Sequence, residues 1–542
     1  MLNASERSRF RLLVLLNFLL SLADILLLAM LLAIVCLYTG SDTRVLQLLP
    51  AVLRDRESLL PACSLVILFI SKCISGYYLF RAQSKFFFSI SFRLAALRLD
   101  RYFNSRYEQY VATERAQLIN AVNHQPIEFA QNILTSIQTI VTECSLIGIT
   151  IIAILAFKPT LFLMLLLFLM PPVLLAGVLM KRKVNHVKQH ISNDIEKANQ
   201  HLNESFSSYI ESAVYGRKDF FGGRYLHFQK RLSTDVSELQ IIQWLPSRLV
   251  EVFAVLGFFA LVLFHKLAGQ TSDLADIGAF IAAAYKIMPG ISRITNASAL
   301  LRTYQSVISA LAAPAETKPE TVADPALQSI QEISLQQVHF AYRGKPVLKH
   351  LTMTIRKGDF LFVNGPSGTG KTTFLNLLLG FIPPSEGQVC YNGIPLNEQN
   401  AGNILKRTSY IRQQALIIRD TIKANIALED APRNEEQFRQ AVAFAGLESL
   451  LSGLEQGADT LLADEGKDIS GGQKQRIAMA RAMYHDADLI VLDEPFNELD
   501  QESEKKILVQ LQQLAASGKI IVLISHSLLA TEYCSKQLTL SA

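Results

Sequence analysis

Phe360-Leu361-Phe362-Val363-Asn364 is an apolar run of strand length, followed at once by Gly365-Pro366-Ser367-Gly368-Thr369-Gly370-Lys371-Thr372-Thr373 and then by an apolar helical stretch from Phe374. This order of strand, glycine-rich loop and helix suits the binding of phosphate. Glycines let backbone N–H groups turn inward onto phosphate oxygens, and the helix N-terminus adds its partial positive charge. At this offset Lys371 neutralises the outer phosphates of a nucleotide and Thr372 offers a hydroxyl to Mg²⁺. A plain turn before a helix would not require Lys followed by Thr. A second apolar run, Leu489-Ile490-Val491-Leu492, ends in Asp493 and Glu494. Taken alone, Asp-Glu-Pro at a strand end could be a turn and helix cap. Beside a phosphate loop, the aspartate suits Mg²⁺ and the glutamate can take a proton from attacking water.

The remaining sequence says what carries these groups. Half of the 542 residues are hydrophobic, too apolar for a soluble enzyme of this size, so lipid is one solvent. Six segments reach the roughly 20 apolar residues that a bilayer core requires: 12–37, 59–81, 129–157, 160–180, 245–266 and 275–300. Arg7, Arg9 and Arg11 before the first, and Lys181, Arg182, Lys183 and Lys188 after the fourth, put those flanks in the cytoplasm. The net charge of +5 is explained by these flanks, and nucleic acid is not an expected partner. Stretches 82–128 and 181–244 read as helix and exceed what a turn needs, so the membrane helices should run on into the cytoplasm. Residues 12–37 exceed the core of a cleaved signal and precede no cleavage site, which makes them a first transmembrane helix. The six cysteines form no CxxC pair and read as packing residues.

The expected division is therefore a transmembrane domain over 1–313, all α, a linker of proline and charge over 314–331, and a nucleotide-binding α/β domain over 332–542, with a helical subdomain between its two motif strands.

That helical portion contains Ile469-Ser470-Gly471-Gly472-Gln473. Together with the two strand motifs it resembles the ATP-binding cassette superfamily, whose signature usually begins with Leu where this chain has Ile469. The resemblance covers the whole C-terminal domain. It implies that Tyr342 stacks on adenine, that Gln413 senses Mg²⁺ and the attacking water, that Asp500 is the D-loop aspartate, and that His526 contacts the γ-phosphate. It implies ATP and Mg²⁺ as cofactors, with Thr372, Gln413 and Asp493 on the metal and Glu494, His526 and Gln413 catalytic. It also implies that Ser470, Gly471, Gly472 and Gln473 complete the site of a partner domain, so two chains are needed. Since Glu494 and the signature are both intact, a homodimer is expected, a heterodimer being the alternative.

Six helices ahead of one cassette resemble the exporter class, which implies coupling helices near Thr113–Asn123 and Glu211–Phe221, outward transport, and a place in the bacterial inner membrane with the ATPase in the cytoplasm. Charges inside apolar segments are costly and face a cavity or one another. Asp24, Lys72, Glu143, Glu251, Lys286 and Arg293 are such charges. Lys286 and Arg293, two helical turns apart beside Pro289, are candidates for an anionic or polar part of the cargo; the alternative is neutralisation of Glu143 or Glu251. The cargo reads as a peptide or other amphipathic molecule, with a lipid-linked oligosaccharide as the alternative. About ten residues precede the first helix, too few for a peptidase domain. An ATP-gated channel or regulator is the reading of another class.

Overall fold

The computed structural model describes residues 3–39, 50, 53–55, 57–157, 167, 171, 175, 193–267, 274–312, 329–342 and 344–541. The chain forms two compact units: Met1–Phe103 with Val111–Ala315, and Asn104–Tyr110 with Glu316–Ala542.

The first unit is helical. Among the described residues, Ala4–Tyr38, Leu60–Phe103 and Gln117–Leu155 are long and apolar enough to cross a membrane. Helix α1 spans Ala4–Thr39 and α2 spans Leu60–Phe103. The 44 residues of α2 reach about 66 Å, twice a ~30 Å hydrocarbon core. After the short α3, Tyr107–Ala112, residues 115–134 wind through two π-helical stretches, Asn120–His124 and Phe129–Leu134, on either side of Pro126. Proline has no N–H to donate and clashes with the carbonyl one turn back, and a widened turn relieves both problems. Helix α4 is Thr135–Phe157, α5 is Lys218–Leu267, and α6 is Leu274–Thr303 with Pro289 inside it. The sequence segments 245–266 and 275–300 lie within α5 and α6, whereas the segment 160–180 lies outside the described residues except for 167, 171 and 175, which are helical. Both α2 and α5 extend far past the apolar runs that marked them, because their extensions carry too many polar residues to register as apolar.

The second unit contains two sheets. The antiparallel one has the order β2-β1-β4-β5, from β1 Glu332–Tyr342, β2 Lys345–Arg356, β4 Glu386–Tyr391 and β5 Ile394–Pro395. The parallel one has the order β6-β7-β8-β3-β9, from β3 Phe360–Asn364, β6 Thr408–Ile411, β7 Leu489–Asp493, β8 Ile520–Ile524 and β9 Lys536–Thr539. Alternate side chains of the parallel strands enter different cores. Phe360, Phe362, Ile490, Leu492, Ile521 and Leu523 join one cluster, and Leu361, Val363, Leu489, Val491, Ile520 and Val522 the other. A sheet covered on both faces needs continuous apolar strands, which explains why β3, β7 and β8 read as unbroken apolar runs.

Candidate nucleotide site

The parallel order β7-β8-β3 brings three carboxyl ends side by side, with Asp493 opposite Ile524 and Ile524 opposite Val363. Ligands of open α/β sheets bind at such ends. The loop from Gly365 leads into α7, Lys371–Leu378. Gly365 has φ 151°, and a Cβ there would lie 2.5 Å from the Leu540 carbonyl oxygen. Gly370 has φ 96°, and its Cβ would meet Val347 Cγ1 at 2.6 Å. Only glycine fits either place. Pro366, Ser367 and Gly368 are exposed at the lip, Thr369 is buried and donates its hydroxyl to the Pro366 carbonyl at 2.8 Å, and Thr372 is exposed while Thr373 is buried.

Lys371 is 8% exposed; its ammonium donates to the Gly365 carbonyl at 2.7 Å and lies 3.1 Å from His526 Nε2. The same imidazole nitrogen is 3.3 Å from Glu494 Oε1. Glu494 Oε2 accepts hydrogen bonds from the amides of Gln413 and Asn497, both at 2.9 Å. Its backbone has φ 49°, unusual for a side-chain-bearing residue, and its N–H is tied to the Ile524 carbonyl at 2.9 Å. Such strain at one residue, held by its surroundings, is typical of functional positions. Thus Glu494, His526, Gln413 and Lys371, drawn from four separate chain segments, meet in one place.

Asp493 accepts a 3.3 Å hydrogen bond from the Tyr410 hydroxyl. Burial raises its pKa above the usual carboxylate range and Glu494 adds to that, while the Tyr410 bond and Lys371 oppose it. Tyr410 is itself pushed upward by burial and by Asp493. A half-buried carboxyl beside a second carboxyl suits a divalent cation. Asp493, the exposed Thr372 hydroxyl and the Gln413 carbonyl oxygen, left over when its NH₂ serves Glu494, form a donor set fitting Mg²⁺.

Tyr342, the last residue of β1, is 50% exposed and meets Phe340 edge-on at 4.8 Å, so a ring face is available. Ser470 caps α8, Gly471–Tyr484: its hydroxyl accepts from the Gln473 N–H at 3.3 Å, and Gln473 Oε1 accepts from the Ser470 N–H at 2.9 Å. This reciprocal cap presents Gly471 and Gly472 at a helix N-terminus. Ile469 packs on the apolar core, so Ile serves there as Leu would. Asp500 caps α9, Gln501–Ala516, through Ser503, and those bonds lower its pKa.

Sequence reasoning overlooked Tyr410, which acts on a carboxylate in the adjoining strand, and Asn497, which acts on one three residues back in the same turn, because neither belongs to a motif. Asn104–Tyr110, just before the expected window at Thr113–Asn123, belongs to the second unit. Tyr107 stacks on Phe381 at 5.1 Å, and Arg106 pairs with Glu398 at 3.1 Å. The helix that starts at Leu60 ends at Phe103, upstream of Pro126. In the second window, a short helix Tyr209–Val214 precedes Gly216, and Tyr209, Ile210, Val214 and Tyr215 are each at least 70% exposed.

The intramembrane charges form pairs. Asp24 on α1 binds both Lys72 on α2 and Lys286 on α6, the latter at 3.3 Å. Arg293 holds Glu143 at 2.7 Å, the alternative partner weighed for it, while Glu251 pairs with Arg248 at 3.0 Å.

Residues 348–497 match the protein-family model described as ABC transporter. Among curated proteins, the chain is 28% identical over 370 residues to the ATP-dependent lipid A-core flippase of Burkholderia orbicola, covering 67% of this chain and 61% of that protein. It is 35% identical over 281 residues to a probable ABC transporter ATP-binding/permease protein of Haemophilus influenzae, covering half of each. The aligned part thus spans less than two thirds of these relatives' length. Among solved structures, a bacterial Atm1-family ABC exporter with ATP bound superposes with a TM-score of 0.77 over 99% of this chain and 93% of that one, at 18% identity, which makes the likeness one of fold.

Proposed function

We propose that this chain, whose residues 348–497 match the ABC transporter family model, is one half of an ATP-driven exporter, two copies of which enclose a pathway through the bacterial inner membrane. The observation that carries this reading is the meeting of Lys371, Gln413, Glu494 and His526 at the strand ends of a chain that also holds membrane-length apolar helices.

In this reading the loop from Gly365 to Thr373 wraps the phosphates of ATP, and Tyr342 stacks on its base. Lys371 leaves the Gly365 carbonyl for the β/γ phosphates. Thr372, Asp493 and Gln413 hold Mg²⁺, which, when bound, offsets phosphate charge. Glu494 accepts the proton of the attacking water, with Gln413 and Asn497 fixing its carboxylate and His526 bridging it to the γ-phosphate. Ser470 to Gln473 and Asp500 act on the nucleotide of the other copy. The exposed apolar helix at Tyr209–Val214 would be covered by the other copy's cassette, because surface of that kind is rarely left bare.

The cargo is read as a peptide or other amphipathic molecule. The flippase names of the aligned relatives favour a lipid-linked cargo as the second reading. The test is ATP-dependent accumulation in inverted vesicles by wild type and Glu494→Gln. Uptake by wild type alone supports the pump, whereas ion conductance in both, with ATP binding sufficient, overturns it.

A further inference from the structure

We infer that Glu498 sets how much ATP this cassette requires before two chains close, because its carboxylate lies across the helix end that must receive the partner's terminal phosphate. The inference rests on the two-chain reading above.

The geometry is specific to this loop. A Cβ on Gly471 would sit 2.6 Å from Glu498 Oε2 and 2.9 Å from its carboxyl carbon, and a Cβ on Gly472 would sit 2.8 Å from the Glu498 carbonyl oxygen. The side chain therefore lies directly against Gly471, and the backbone carbonyl against Gly472, at the start of the fourteen-residue α8. Its backbone is held there from both sides. On one side the Leu499 N–H closes onto the Phe496 carbonyl at 2.9 Å and Asn497 is tied to Glu494. On the other, Asp500 accepts from the Ser503 N–H at 2.8 Å, and the Ser503 hydroxyl takes a 2.8 Å hydrogen bond from Arg476 of α8 itself. The loop is thus pinned to the helix whose end it covers.

A helix N-terminus draws anions through its free N–H groups and its dipole, and a carboxylate resting on it draws on the same field as an arriving phosphate. Glu498 is exposed, so it can swing away, but as long as it stays its charge opposes the phosphate. Like charges a few ångströms apart at a protein surface correspond to a change of about tenfold in affinity, and the effect weakens as salt rises. Removal of the charge should therefore make closure easier, while shortening the side chain with its charge kept should not.

The experiment uses the full-length protein in lipid nanodiscs, with Glu494→Gln throughout to prevent hydrolysis and with closure read by spin-label distances between the two cassettes as ATP is titrated. Glu498→Gln should lower the half-closing ATP concentration about tenfold in low salt, and the gain should shrink in 0.5 M salt. Glu498→Asp should titrate like the parent, and melting temperatures should agree across the set. Equal titration of Glu498→Gln and the parent, equal shifts from Gln and Asp, or a gain unaffected by salt would each overturn the inference. A parent that does not close at saturating ATP would instead overturn the two-chain reading, and the inference with it.

Discussion

Arg293 gives the clearest separation between a cargo residue and a structural one. Its guanidinium holds Glu143, whose side chain is 11% exposed, while the Arg293 side chain itself is 55% exposed. Arg293→Ala leaves a buried carboxylate without its cation. Removing one partner of a fully buried pair costs about 3–5 kcal/mol, and an exposed pair contributes about 0–1 kcal/mol. With one partner buried and the other half in solvent, a loss of about 1–3 kcal/mol is expected. Close packing leaves no easy escape, since a Cβ on Gly290 of the neighbouring helix would already meet Glu143 Oε2 at 2.9 Å. The double variant Arg293→Ala/Glu143→Gln should recover most of the loss, because the stranded charge is gone. Denaturation of the detergent-solubilised protein, followed by tryptophan fluorescence from Trp244, measures stability, and ATPase stimulation by candidate cargo measures function. Full stability of Arg293→Ala together with lost stimulation would refute the pairing argument and return Arg293 to the cargo.

Two further outcomes test the nucleotide site. Lys371→Ala should weaken nucleotide binding itself at least tenfold in an equilibrium titration, since the ammonium meets phosphate charge already present in the ground state; unchanged binding and turnover would remove this loop from the site. Tyr410→Phe keeps the ring but removes a hydrogen bond that lowers the Asp493 pKa. Asp493, already raised by burial, must be ionised to hold Mg²⁺. The acid limb of Mg²⁺-dependent ATPase should therefore move to higher pH, with activity at high pH largely kept, and an unmoved limb would count against Asp493 as a ligand.

The ATP site was legible to the degree that its chemistry is local. The loop from Gly365 to Thr373 needs its glycines, lysine and threonine at fixed offsets, so the motif survives in one dimension, and the apolar strands that carry Asn364 and Asp493 and lead into His526 announce themselves because both faces of the sheet are buried. What the sequence concealed was whatever depends on side chains meeting at spacings that no motif announces. Tyr410 reaches Asp493 across adjoining strands, Asn497 reaches Glu494 around a turn, and Asp24 serves two lysines on two other helices. The extensions of α2 and α5 past their apolar runs were legible in a different way: apolar counting stops where the hydrocarbon ends, but 82–128 and 181–244 hold few breakers and read as helix, as residues 82–103 and 218–244 are.

The border between the two units does not follow the order of the chain. Asn104–Tyr110 lies more than two hundred residues before β1, yet it supplies the ring that covers Phe381 and the cation that meets Glu398. A soluble fragment cut at the linker would expose an unpaired aromatic surface and a stranded carboxylate on the cassette. Biochemistry on that fragment would then describe a protein whose surface differs from the native one around Phe381 and Glu398. The natural seam for dissection is discontinuous, and a faithful fragment needs those seven residues grafted back.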